Sequence, residues 1–239
     1  MKPRNRIFLD EKISIGKIIK IKDKQAHYLI NVLRCKINEK ILIFNDGEWL
    51  AEIVNVRSKA IELIIEEKTR DLLKQRSIKL YFSPLKRNPN EILIQKCTEI
   101  GVNIFQPIAM EHTNISKINV DRLKLISLEA IEQSEQLTIP NISQTIGFKE
   151  FLKQIKNDEI IIACTVQCKN ISIRQTIKEN FNKDISILIG PEGDFSKLEL
   201  DNIKSHKNII EASLGENILK GETATIVASA LVKDSLSQC

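Results

Sequence analysis

From residue 78 to the C-terminus, short apolar runs alternate with stretches whose apolar residues recur at helical spacing. That alternation constrains the chain more than any other feature, because strands separated by helices settle into a mainly parallel sheet with helices packed on it. Candidate strands cover residues 78–82, 102–108, 159–165, 185–189 and 208–212. The helix between the first two carries Asn88 as N-cap, Pro89 at the first helical position, Glu91 to complete a capping box and Gly101 as its stop. Another opens at Ser196 with Glu199 three residues on, and the last spans 221–236 with Ile226, Val227, Ala230 and Leu231 on one face.

Up to about residue 70 the pattern is different. Alternating runs at 40–44 and 49–56 flank the turn Asn45-Asp46-Gly47, which reads as a small β domain. A helix around 24–34, with Ala26, Leu29, Ile30 and Leu33 in register, interrupts it, and the charged run 66–76 reads as a linker. Charge divides the chain at the same place. Residues 1–75 hold 16 Lys and Arg against 11 Asp and Glu, whereas residues 76–239 hold 20 of each. The excess is densest in residues 1–40, with 11 basic to 4 acidic, and suits either a phosphate backbone or a solvated basic face.

Several chemistries lack their sequence signals. The eight glycines form neither GxGxxG nor a P-loop, which argues against a dinucleotide fold, a standard Rossmann methyltransferase and a nucleoside triphosphatase. His27, His112 and His206 are far apart without HExxH spacing, no GxSxG elbow exists, and the five scattered cysteines match neither a zinc site nor a disulfide framework, so no metal is expected. The apolar stretch 224–232 is far shorter than the roughly 20 residues of a membrane span. The opening Met-Lys-Pro-Arg-Asn-Arg offers no secretion signal, and a cytoplasmic protein is expected.

Four of the eight glycines fall in the last fifty residues, in two clusters that each follow a candidate strand: Ile189-Gly190-Pro191-Glu192-Gly193-Asp194-Phe195, and the segment from Leu214-Gly215 through Glu222-Thr223-Ala224. Such turns at carboxyl ends of strands present backbone to a ligand, or are ordinary strand-to-helix turns. At these residues the sequence resembles the ribosomal RNA small-subunit methyltransferase E (RsmE) family of the SPOUT superfamily. The likeness runs in order through Arg6-Ile7-Phe8, His27 with Val32-Leu33-Arg34, Asp46-Gly47, Gln95 to Val102 with Pro107, Glu132-Gln133-Ser134 and the two glycine clusters.

The resemblance implies an α/β protein with an N-terminal PUA-like β-barrel (residues 1–72) that helps hold RNA, and a SPOUT domain (residues 73–239) whose C-terminal part forms a trefoil knot. It implies S-adenosylmethionine-dependent methylation of N3 of one uridine in 16S ribosomal RNA, on the assembled small subunit and by a homodimer. Carried over by position, the donor site comprises Ala163, Thr165, Ile189, Gly190, Pro191, Glu192, Gly193, Leu214, Gly215, Ile218 and Leu219. Uridine N3 must lose a proton, so Lys220 is placed to stabilise developing negative charge and Glu222 to act as base, with Arg6 completing the catalytic set. The bland alternatives are an exposed charge for Lys220 and a first-turn acid favoured by the helix dipole for Glu222. Arg4, Arg6, His27 and Arg34 are the expected RNA contacts, and Lys96 with Glu99 suits a salt bridge. The sequence departs from the family pattern at Asp194, Asn217, Lys220, His112 and Gln136. These departures keep open a second reading, an RNA-binding or ribosome-assembly protein with weak or lost catalysis.

Overall fold

The computed structural model describes residues 3, 5–73, 76–115, 117–168 and 171–238; Arg4 and Cys239 lie outside them. The chain divides into two compact units, residues 1–74 with 131–138, and residues 75–130 with 139–239.

In the first unit, β1 (Arg6–Phe8), β2 (Ile18–Lys22), β3 (Lys40–Phe44), β4 (Gly47–Arg57) and β5 (Ala60–Asp71) form one sheet in the order β1-β3-β4-β5-β2. β1 runs parallel to β3 and the other pairs are antiparallel. Three register shifts between β4 and β5 bend the long hairpin, so that Ile41, Ile43, Ala51, Ile53, Ile61 and Leu63 share one core. Residues 66–71 are not a linker as expected. They continue β5 beside β4 after β2 has ended its pairing at Ile64, and their side chains therefore stand in water and read as loop. The helical stretch is α1 (Asp23–His27) followed by a wide turn over Tyr28–Val32, where Leu33 N–H reaches the Tyr28 carbonyl at 2.9 Å. It stops short of Arg34, which takes a left-handed φ of 55°.

The second unit contains β6 (Lys79–Phe82), α2 (Arg87–Ile100), β7 (Ile104–Ala109), most of α3 (Val120–Ser134), β8 (Asn141–Ile142), β9 (Ile146–Gly147) and α4 (Phe148–Gln154). It continues through β10 (Glu159–Cys164), α5 (Ile173–Glu179), β11 (Asp184–Ile189), α6 (Lys197–Ser205), β12 (Ile209–Ala212) and α7 (Gly221–Ser237). Every strand pair is parallel, in the order β12-β10-β11-β6-β7-β8, with β9 also on β7. Alternation along the strands builds two cores. Leu80, Phe82, Ile160, Ile162, Ile185 and Ile187 pack with α2, α5 and α7 on one face, and Tyr81, Ile161, Ala163 and Leu188 pack with α4 and α6 on the other.

Two helix expectations need correction. α2 starts at Arg87 with Lys86 as its cap, and Asn88 does not cap it. Asn90 closes that turn instead, donating to the Leu85 carbonyl at 2.6 Å and accepting from Leu85 N–H at 2.9 Å, while Glu91 turns to Arg87 and Arg122. Gly101 does end the helix, in a left-handed conformation with its N–H on Cys97 and Thr98. The buried face of α7 is Thr225, Ala228, Ser229, Val232 and Ser235, and Ala230 is exposed. Small residues on that face let α7 lie close against α2, so Ile226 and Leu231 flank the seam. The capping box of Ser196 and Glu199 at the start of α6 is present, as is the salt bridge of Lys96 and Glu99 at 2.9 Å.

Candidate functional site

Register aligns the carboxyl ends of five strands in one row, with Pro107, Phe82, Ile189, Cys164 and Ala212 each opposite the next. The loops leaving β10, β11 and β12 therefore emerge side by side, which is where open parallel sheets bind ligands. Between two of them lies a pocket lined by Cys164, Thr165, Val166, the loop from Leu214 to Leu219, and Ala224 of α7. Thr165 Oγ1 donates to Glu211 at 2.8 Å, which ties the end of β10 to β12. The 214–219 loop turns at Gly215, whose φ of 114° favours glycine and whose N–H donates to Ser213 Oγ at 3.2 Å. Burial pushes the Cys164 thiol up to about 12. It stays protonated at neutral pH and serves as a wall rather than a nucleophile.

The loop after β11 is held from outside by groups that sequence reasoning missed. Ser83 N–H donates to the Ile189 carbonyl at 3.1 Å, and Ser83 Oγ lies 2.8 Å from Thr113 Oγ1. His112 Nδ1 lies 3.1 Å from the Gly193 carbonyl and 2.9 Å from that of Asp194. Both partners can only accept, so Nδ1 carries the proton, and the bond to Asp194 raises the imidazole above its ordinary range despite partial desolvation. Glu199 accepts from Glu111 N–H and Ser196 N–H, each at 2.9 Å. Asp194 takes φ 62°, the left-handed conformation usually given to glycine, and its carboxylate accepts from Phe195 N–H at 2.9 Å. Gly190 sits against the buried Phe195 ring, where an added Cβ would stand 2.7 Å from a ring carbon. The sequence signals for this bracing were the spacing of Ser196 and Glu199 and the departures from the family pattern at His112 and Asp194.

Of the expected donor residues, Thr165, Leu214, Gly215, Ile218 and Leu219 line the pocket. Ile189, Gly190, Pro191, Glu192 and Gly193 form the braced neighbouring loop, with Pro191 buried and Glu192 exposed. Ala163 is fully buried on the opposite face of the sheet, and strand alternation gives its expected place to Cys164. Lys220 is the exposed cap of α7 and Glu222 is half-buried in its first turn.

In the first unit, His27 and Arg34 are exposed, and Arg6 is not. Arg6 donates to Glu48 at 2.8 Å and to the carbonyls of Ile131, at 2.9 Å, and Gln136, while its guanidinium lies 3.7 Å over the Phe44 ring. Only 7% of the residue is exposed, so the expectation of a phosphate contact or catalytic role is corrected to a structural one. Arg70 adds 2.6 and 2.9 Å bonds to Glu48 and another to the Glu135 carbonyl. Burial pushes the Glu48 carboxyl up, but the bonds from Arg70 and Arg6 outweigh it and hold the group below the usual carboxylate range. These bonds explain why residues 131–138 belong to the first unit, a return that a boundary at 72/73 omits.

Residues 73–233 match the model of an RNA methyltransferase domain, and residues 21–66 that of an RNA methyltransferase PUA domain. The chain is 32% identical over 238 residues to the ribosomal RNA small subunit methyltransferase E of Rickettsia conorii, covering 98% of this chain and 97% of that one. It is 30% identical to the protein of the same name from Buchnera aphidicola subsp. Schizaphis graminum, covering 93% of each. Among solved structures, that of ribosomal RNA small subunit methyltransferase E from Neisseria gonorrhoeae, bound to S-adenosyl methionine, superposes with a TM-score of 0.86 at 26% identity over 98% of both chains. A family model spanning most of the chain and a relative matched along its whole length agree: this chain belongs to the ribosomal RNA small subunit methyltransferase E family of RNA methyltransferases.

Proposed function

We propose that the protein transfers a methyl group from S-adenosylmethionine to N3 of one uridine of 16S ribosomal RNA in the assembled small subunit. One observation carries the reading: the pocket built by Thr165 and the 214–219 loop occupies the carboxyl edge of a sheet whose close structural neighbour is bound to S-adenosyl methionine. The residues present fit such a donor. Thr165 and the backbone around Gly215 offer polar groups, while Leu214, Ile218 and Leu219 offer apolar surface. The bound donor supplies an electrophilic methyl carbon on a sulfonium.

The chain's own task is to place the accepting nitrogen in line and to manage its proton. Lys220 and Glu222 flank Gly221 at the first turn of α7, directly after the pocket loop. Lys220 offsets the charge that develops on the uracil, and Glu222 takes the N3 proton. On this reading the neighbouring 190–195 loop also contacts the donor, through Gly190, Pro191 and Gly193. On the same reading the C-terminal part of the SPOUT domain forms a trefoil knot with loops at 189–193 and 214–219, the five-stranded sheet closes into a PUA-like barrel, and His27 and Arg34 face ribosomal RNA. The protein works in the cytoplasm as a homodimer, whose partner copy covers Ile218, 79% exposed on the pocket loop.

The test incubates the protein with labelled S-adenosylmethionine and small subunits from a strain lacking the modification, followed by mass spectrometry of the digested RNA. The expected product is 3-methyluridine; donor binding with a different methylated nucleoside would overturn the assignment to N3.

A further inference from the structure

A second cavity, of about 410 Å³, opens between the start of α2 and the segment that leads into α3. Its apolar floor is Leu85, Ile115, Ile118 and Leu123, and its rim carries Arg87, Lys117 and Arg122. Glu91 is the only carboxylate among the lining residues, and it bonds to both arginines at 3.1 and 3.3 Å. The three cations and one anion leave the lining with two net positive charges. The Arg87 side chain is 80% exposed and that of Arg122 is 45% exposed, so each guanidinium keeps N–H groups toward water.

One side chain of this cavity reaches the start of α7, just past the donor-pocket loop. Leu85 lines its floor and also packs on Gly221, where an added Cβ would stand 2.9 Å from Leu85 Cδ2. Gly221 follows directly on the 214–219 loop and Lys220. Lys220 and Glu222 thus flank the glycine on which this floor residue packs.

We infer that this cavity is a subsite for an unpaired nucleotide flanking the methylated one, with its base on the apolar floor and its phosphodiester on Arg87 and Arg122. The inference rests on the proposed RNA substrate. Charge fixes the class of occupant, since a cationic rim over an apolar floor matches a nucleotide's anionic backbone and flat base. The size fits as well, because small-molecule pockets start at about 300 Å³. The polar groups decide that the occupant is not the accepting base. The Asn90 amide is spent on Leu85 N–H and carbonyl, the Asn119 carbonyl accepts from Arg122 N–H at 3.0 Å, and Glu91 is held by the arginines. The floor thus holds a base by contact and reads little of its edge, so the subsite positions RNA with little sequence preference.

The test compares wild type with Arg87→Gln/Arg122→Gln, which removes both guanidinium charges from the rim, and with Ile115→Trp, which fills the cavity. Binding of the full chain to a labelled single-stranded oligoribonucleotide is measured by anisotropy across a salt series, and donor binding by calorimetry reports on folding. Both variants are expected to weaken RNA binding at least tenfold with donor affinity unchanged. The double substitution should also flatten the salt dependence by about 0.7 in the log-log slope, for one phosphate of a single strand. Unchanged RNA affinity in both variants with donor binding intact overturns the subsite. So does an effect of the arginines alone, which would make the rim a phosphate patch without a pocket. If both variants weaken RNA binding yet wild type yields no methylated product on small subunits, the nucleotide subsite stands and the catalytic reading falls. Absence of oligoribonucleotide binding by wild type overturns the subsite and leaves the catalytic reading to the assay on small subunits.

Discussion

At Gly190 a single hydrogen in place of a methyl group decides whether Phe195 keeps its buried place. Gly190→Ala forces either the ring or the loop to move, at about 1–3 kcal/mol of overpacking. We expect a lower urea midpoint at unchanged m-value, together with weaker donor binding by calorimetry. His112 gives a prediction of opposite character. Its pKa is raised by hydrogen bonds to the carbonyls of Asp194 and Gly193, so its contribution is complete below the unfolded value near 6.5 and fades as pH rises through the folded one. Titration of the imidazole by NMR should give a midpoint above 6.5, and His112→Ala should make donor affinity less dependent on pH between 6 and 8. Asp194 shows how a departure from family pattern is accommodated. A glycine there would carry no left-handed strain, yet the aspartate bonds its carboxylate to the next N–H and the turn survives. These contacts join residues from 30 to 106 positions apart in the chain, which is why no local spacing disclosed the bracing by His112, Ser83 or Thr113.

Elements were legible where the burial pattern is simple. The parallel strands are apolar runs buried on both faces, and their approximate positions follow from composition alone. β5 was cut short because its outer half has a partner on one side only and keeps its charges in water. The start of α2 was misplaced because two asparagines compete there, and the one that closes the turn lies inside the helix. Arg6 was misread for a related reason. A basic residue in a basic segment looks like a phosphate ligand until its acceptors, 125 and 130 positions away, are in view. Glu48 anchors the arrangement between β4 and the end of α3, with a side chain 1% exposed and arginines on two sides. Glu48→Gln leaves a buried Arg6 without its counter-charge and should cost about 3 kcal/mol, read by chemical denaturation. Since the Glu48 pKa is lowered, its stabilisation holds above the unfolded value of about 4.3 and is lost as pH falls through the folded value. Acid unfolding of the wild type should therefore begin in the first unit, as hydrogen exchange followed across that range would report.

For the whole molecule, the family and the order of its parts were visible in the sequence, because the glycine clusters and their neighbours occur in register along nearly the full chain. The proposed homodimer makes a prediction at this scale. Dilution to verified monomer in the ultracentrifuge should abolish methyl transfer, and full specific activity in the monomer would contradict the dimer. The boundary near residue 74 was visible, but the return of residues 131–138 to the first unit was not, since they lie beyond the second unit's opening elements. That borrowing sets a timetable for synthesis. When residue 74 leaves the ribosome, Arg6 and Arg70 have Glu48 but not the carbonyls of Ile131, Glu135 and Gln136. The amino-terminal unit must wait for more than sixty further residues before its last bonds can close, so its completion follows synthesis of the second unit's opening elements, residues 75–130.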